Sequence, residues 1–367
     1  MKSLIVLLAA SLIVTGCMNS IFTKYQDNQY VAPDRKFEQP VLQTLQMFIG
    51  EACAFLFVLG KSFRGRPGEY EPIIGGKPPL PASKVFVLAI PALCDLCGTT
   101  LMNLGLMYTP VSIYQMTRGA LILFVALFSV VFLRRSINRV EWLSLVVVVA
   151  GIVIVGLSGK QNAGSESVDS AVSKEASSKL VVGITLVLLA QVLVATQFVV
   201  EEHIVGRWTV EPLTLVGYEG SFGGSLTLLA MVAGYATVGK GTKGPFDVVN
   251  SFHEFWSNAN ILYSSIAIMI SIGMFNFIGI TLTSKMSATA RSTIDTCRTA
   301  LVWVVSLVLG WESFVFAQLL GFVLLGFGTL VFNGAIAIDP YLPRWFLQDK
   351  VGNLRIIDVV DEQIERQ

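Results

Sequence analysis

The chain has 367 residues, 53% hydrophobic and 14% charged, and its mean hydropathy is +0.67. A soluble domain carries about a quarter charged residues, and 26 Lys and Arg against 25 Asp and Glu leave no basic surface for nucleic acid. Soluble, disordered, collagen-like and disulfide-scaffold classes are therefore excluded, and a polytopic membrane protein remains.

A membrane-spanning helix needs about 20 mainly apolar residues, and helices satisfy their own backbone hydrogen bonds in lipid. Ten such stretches follow along the chain: 3–21, 40–60, 85–106, 111–132, 142–158, 180–200, 212–236, 260–282, 288–310 and 313–334. The first begins Met1-Lys2 and reaches Val14-Thr15-Gly16-Cys17, resembling a lipoprotein signal. Cleavage there would leave nine spans, so it is read as a helix that stays. Pro40 opens the second span, which carries Glu51 near its middle; the third holds Asp95 within Cys94-Asp95-Leu96-Cys97-Gly98-Thr99-Thr100. The fourth, beginning beside Pro110, presents Gln115 and Arg118 one turn apart. Residues 159–179, rich in Gly and Ser, read as a flexible polar linker. Beyond it come Gln197 in the sixth span, Glu219 and the small-residue face Gly217, Gly220, Gly223 and Gly224 in the seventh, and Arg291, Asp295 and Arg298 in the ninth. The polar tail 337–367 reads as cytosolic. The expected organisation is a five-helix repeat over 1–158, the linker 159–179, a second five-helix repeat over 180–336, and the tail.

A shift of 180 residues tests for that repeat. It places Thr109, Ser112, Arg118, Ala120, Leu121, Val125 and Leu127 on Thr289, Ser292, Arg298, Ala300, Leu301, Val305 and Leu307. Seven identities in 22 positions exceed the roughly two or three that apolar composition gives. Pro40 and Pro212 provide a second anchor. Five is odd, so the two halves insert with opposite topology, an arrangement that places a substrate site at the repeat interface near mid-membrane. With ten spans both termini share one side, whose loops and ends hold 15 Lys and Arg against 8 opposite; three arginines lie within spans. The richer side is cytosolic.

The stretches PALCDLCGTTLMNLGLMYTPVSIYQMTRGALILFVALFSVVFLRRS, GYEGSFGG and FNFIGITLTSKMSATARSTIDTCRTALVWVVSLVLGWESF resemble the solute carrier 35 family, within the drug/metabolite transporter superfamily (EamA-type). The likeness is greatest to its F subgroup and covers nearly all of residues 1–336. It implies an all-α integral membrane protein of ten helices in two inverted five-helix repeats, transporting by alternating access. It supplies no substrate. The FYNN and GALNK motifs of the superfamily's GDP-mannose carriers are absent.

Each intramembrane charge costs several kcal/mol unless paired or hydrated (~2.5–3.5 on insertion scales). Seven are present: Glu51, Asp95, Arg118, Glu219, Arg291, Asp295 and Arg298. Under the repeat, Gln115 and Arg118 map onto Asp295 and Arg298, so one polar face is presented twice. Those four, with the late-span amides Asn19 and Gln197, are candidate substrate contacts. Glu51, Glu219 and Asp95 are candidate proton carriers. The alternative for Arg291, Asp295 and Arg298, spaced i, i+4 and i+7, is a structural brace, and for the amides it is helix-to-helix adhesion; the glycine face reads as close packing, with gate movement as its alternative. His203 and His253 read as isolated loop residues.

No P-loop, nucleophile elbow, HExxH or Asn-x-Ser/Thr sequon occurs, and Cys94-x-x-Cys97 sits in an apolar helix without a histidine nearby. The expectation is a non-enzyme without cofactor or metal. Its partners are a small-molecule substrate and the lipid bilayer, with a homodimer left open and nucleic acid excluded. Function is expected to be secondary-active transport of a small anionic or zwitterionic solute. A proton-coupled exporter of cationic peptides or drugs and a non-transporting membrane adaptor are the alternatives. Golgi, vacuole or lysosome is expected ahead of the plasma membrane.

Overall fold

Apolar runs of this length bury their backbone polar groups only as helices, and helices dominate the computed structural model. It describes residues 2–32, 35–37, 39–63, 78–109, 114, 117–135, 137–163, 170–239, 247–310, 314–333 and 336. The helices are α1 (Lys2–Asp27), α2 (Pro40–Ala52), α3 (Ala54–Phe63), α4 (Ala89–Tyr108), α5 (Leu121–Phe132), α6 (Arg139–Ala163), α7 (Ser170–Arg207), α8 (Pro212–Gly234), α9 (Val248–Ser257), α10 (Ala259–Lys285), α11 (Ala288–Val308) and α12 (Phe316–Phe332). A 3₁₀ segment, Ala82–Leu88, leads into α4, and a π turn, Tyr235–Gly239, follows α8. Among the described residues, four helical stretches can cross a membrane by length and composition: Ser3–Asp27, Ser83–Leu106, Leu180–Arg207 and Ala259–Lys285. Pro40–Leu56, Leu121–Phe132 and Phe316–Phe332 are shorter apolar helices.

Local chemistry sets several boundaries. Pro40 and Pro212 occupy first-turn positions of α2 and α8, where the missing N–H costs nothing. Ser287 caps α11 by accepting from the Ala290 N–H at 3.0 Å. Gly310, at φ +70°, ends that helix in the left-handed region.

Four features depart from the expected elements. The second span is two helices, separated at Cys53. Helix enters the stretch read as a linker from both sides, through residues 159–163 and 170–179, which hold its good helix formers alanine and lysine. Tyr30–Ala32 and Arg35–Lys36 form a small antiparallel ribbon beside the helices. Helix α9 is amphipathic, with Ser251 and Glu254 buried and Val249, Phe252 and Trp256 exposed.

The chain forms two compact units, each drawing on both sequence halves. Unit 1 comprises Met1–Thr100 and Val200–Ser284. Within it α2 packs on α8. A Cβ on Gly220 would stand 2.3 Å from the Ala52 nitrogen, and one on Gly223 would enter the Phe48 ring. On another side of α2, a Cβ on Gly273 of α10 would lie 2.9 Å from the Gly50 carbonyl oxygen. Apolar transfer between lipid and helix contributes little, so close backbone approach and polar contacts hold such helices together. The glycine face is therefore packing surface. Ala54, Leu88, Ile204, Trp208, Leu215 and Ile280 belong to one buried cluster of this unit.

Unit 2 comprises Leu101–Val199 and Lys285–Gln367. Within it α6 packs on α12, α5 on α11, and α11 on α12. A Cβ on Gly151 of α6 would lie 2.6 Å from the Gly321 oxygen of α12, and one on Gly328 2.9 Å from the Ser144 oxygen. Gly105 of α4 and Gly183 of α7 face each other in the same way. The Ser129 hydroxyl of α5 accepts from Thr289 of α11 at 3.1 Å.

Candidate functional site

In unit 1, Glu51 is 1% exposed, and Asn276 Nδ2 of α10 donates to its Oε1 at 2.5 Å. Gly220 and Gly273 bring α8 and α10 against this turn of α2, so backbone contacts on two sides fix the carboxyl. Glu219, next to Gly220, is also buried. Asn19 of α1 is half-buried and its Oδ1 accepts from Ser271 Oγ of α10 at 3.2 Å. Thr99 Oγ1 donates to Asp95 Oδ1 at 3.2 Å, one turn along α4.

A second polar cluster joins the same three helices, α1, α2 and α10. Gln26 Nε2 donates to Ser265 Oγ at 2.7 Å, and Gln43 Nε2 donates to Gln26 Oε1 at 3.1 Å and to Asp27 Oδ1 at 2.6 Å. Gln46, one turn beyond Gln43, is buried, and neither amide atom has a hydrogen-bond partner among the described residues.

In unit 2 the structure brings Asp295 and Arg298 together. Arg298 Nη2 donates to Asp295 Oδ2 at 3.2 Å. The guanidinium Nε lies 3.2 Å from Oδ1, near enough for an ion pair but misaligned for a hydrogen bond. Arg291 is 1% exposed, with its guanidinium carbon 4.0 Å from the centre of the Phe198 ring. Hydroxyls surround this turn of α11, where Thr293 Oγ1 accepts from Asn333 Nδ2 at 3.1 Å. Arg118 is half-buried and stands 5.7 Å from the centre of the Tyr114 ring. That ring is the partner its side chain has among the described residues. Gln197 is buried in α7. Gln115 lies outside the described residues.

The candidates thus divide. Asn19, Glu51, Asp95 and Glu219 belong to unit 1, and Arg118, Gln197, Asp295 and Arg298 to unit 2. Sequence reading passed over Asn276, although an amide in the apolar run IGMFNFIGI is itself a signal; the reading weighed formal charges and late-span amides instead. Among the described residues no group of three or more His, Cys, Asp or Glu gathers as a metal site. His203 and His253 lie on α7 and α9, not in loops as expected.

Comparison with known proteins places this arrangement in a family. The family model described as nucleotide-sugar transporter matches residues 6–205. An uncharacterised protein of Schizosaccharomyces pombe is 40% identical over 333 residues, covering 90% of this chain and 98% of its own. Solute carrier family 35 member F6 of Homo sapiens is 36% identical over 338 residues, covering 89% of this chain and 88% of its own; the Mus musculus protein of that name is 35% identical over 339. One solved crystal structure superposes with a TM-score of 0.60 at 14% identity, over 89% of this chain and 97% of that one, a likeness of fold alone. The chain belongs to the nucleotide-sugar transporter family, among the solute carrier 35 proteins: it is an integral membrane solute transporter and not an enzyme.

Proposed function

We propose that the chain is a ten-helix carrier built as two inverted five-helix repeats, moving a small anionic or zwitterionic solute by alternating access. Three repeat-related helix pairs pack directly on one another: α2 with α8, α5 with α11, and α6 with α12. Such pairing is what a pseudo-two-fold axis in the membrane plane produces. In this reading Arg118, Arg298 and Asp295, with Gln115, Asn19 and Gln197, meet the substrate. Glu51, Glu219 and Asp95 carry coupling protons. Both termini face the cytosol, in an endomembrane.

The observation that carries the reading is Arg118. A half-buried guanidinium whose partner among the described residues is one aromatic ring keeps its fork of donors available for a carboxylate or phosphate. Arg298 is already neutralised by Asp295, so it meets an anion by exchanging partners.

The test is flux into liposomes, screened against nucleotide sugars, organic anions and basic amphiphiles. Wild type accumulates an anionic or zwitterionic solute, and Arg118→Lys keeps its melting point while losing most flux. Normal transport by Arg118→Lys refutes the anion site. The buried carboxyls Glu51 and Glu219 favour a second reading, proton-coupled export of cationic peptides or drugs, which the same screen separates.

A further inference from the structure

We propose that unit 1 carries a binding site for an acidic phospholipid, built around Trp208 at the turn between α7 and α8. The indole ring is buried. Lys84 Nζ stands 5.4 Å from its centroid and the Arg207 guanidinium carbon 5.5 Å, while the His203 imidazole meets it edge-on at 6.4 Å. Lys84 and Arg207 come from segments far apart in sequence. They meet because Thr209 N donates to the Pro78 oxygen at 3.0 Å, tying the stretch before the 3₁₀ segment to the α7–α8 turn.

Both cations are exposed, and the ring is the partner of each side chain among the described residues. A cation–π contact holds an ammonium or guanidinium in place without neutralising it. Two held positive charges, neither with an acidic partner among the described residues, therefore flank one buried tryptophan.

The apolar side of the site starts two residues after Lys84. Phe86, in the 3₁₀ segment, is 75% exposed, and Ile90 and Leu93, three residues apart at the start of α4, are exposed as well. Phe222 of α8 lies against Phe86 with ring centroids 6.1 Å apart. Charged head and apolar strip together match an amphiphile bearing a phosphate. Inorganic phosphate shares the head chemistry but gains nothing from Phe86, Ile90 and Leu93, so the lipid is favoured. Basic clusters at the ends of spanning helices select anionic over zwitterionic headgroups. The contact rests on membrane insertion alone; the proposed orientation adds only that the leaflet is the cytosolic one.

The test uses the full chain, purified in detergent and titrated with phosphatidylserine or phosphatidylcholine, and separately with inorganic phosphate, with bound lipid read by native mass spectrometry. Phosphatidylserine should bind at about tenfold lower concentration than phosphatidylcholine. Lys84→Gln and Arg207→Gln should each weaken that binding about fivefold, their expected share of headgroup attraction, with an unchanged melting point. Phe86→Gln should weaken both lipids, leaving the preference between them, and keeps the acyl strip testable should a charge variant misfold. Lys285→Gln, another basic residue at a helix end, should change neither. Equal binding of the two lipids, wild-type binding by the double charge variant, or displacement of phosphatidylserine by millimolar phosphate overturns the proposal.

Discussion

Gly220 and Gly224 form one GxxxG pair on α8, yet the structure gives them different work. A Cβ on Gly220 would lie 2.3 Å from the Ala52 nitrogen and 2.6 Å from the Glu51 Cβ, whereas one on Gly224 meets the Phe48 Cβ at 3.6 Å, an ordinary contact. The first obstacle is backbone and cannot rotate away. Restoring ordinary contact of at least 3.4 Å from 2.3 Å requires α2 and α8 to separate by 1.1 Å at the turn that holds Glu51. Overpacking of this kind costs roughly 1–3 kcal/mol, partly offset by about 0.5–1 kcal/mol from replacing a mid-helix glycine with alanine. Gly220→Ala should therefore lower stability by up to about 2 kcal/mol, and Gly224→Ala should be neutral or stabilising by less than about 1 kcal/mol. Thermal melting in detergent compares the two, and liposome flux of the same samples reports the displacement of Glu51. Equal melting points for the two variants would refute the claim that backbone approach at Gly220 seats the carboxyl.

Arg298→Ala strands the buried Asp295 carboxylate and should destabilise by ~3–5 kcal/mol, while the apolar double variant Asp295→Leu/Arg298→Leu should melt near wild type without transporting; a double variant with full flux shows that the pair is only a brace. Glu51→Gln can still accept from the Asn276 amide, so it should melt near wild type but respond no longer to an imposed pH gradient, whereas Asn276→Ala should cost about 1 kcal/mol; persistent pH-driven flux in Glu51→Gln removes that carboxyl from coupling. Tags on the two termini should be protease-protected together or cut together in sealed vesicles, and opposite fates would require an odd number of spans.

Helix positions were legible because lipid leaves the backbone no alternative, and Pro40 and Pro212 marked two starts. The glycine face of α8 was legible too, since small residues at helical spacing have few uses besides close approach. What could not be read is which segments meet. Asn276 and Glu51 are 225 residues apart, and nothing in the local pattern of α2 or α10 names the other. Division into two units that each combine both halves of the chain depends in the same way on packing. Helix α9 escaped for a different reason: its ten residues are half polar and fall below the length at which apolarity alone signals a helix. Glycine, serine and mixed charge mark the linker in the sequence, yet its alanines and lysines lie where α6 and α7 extend into it.

The proposed reading asks different things of Arg118, Arg291 and Arg298 in unit 2. A bilayer tolerates a guanidinium when something compensates it. For Arg298 that is Asp295, one turn away, and for Arg291 the face of Phe198 in a turn lined with hydroxyls. Both arrangements contribute to the fold whether or not anything is transported. Arg118 is different: among the described residues its side chain has the Tyr114 ring, 5.7 Å away, which attracts the cation without neutralising it. In the proposed reading that charge is kept for the substrate, because an anion that completes the guanidinium in one step of the cycle and leaves it in the next must find it unneutralised.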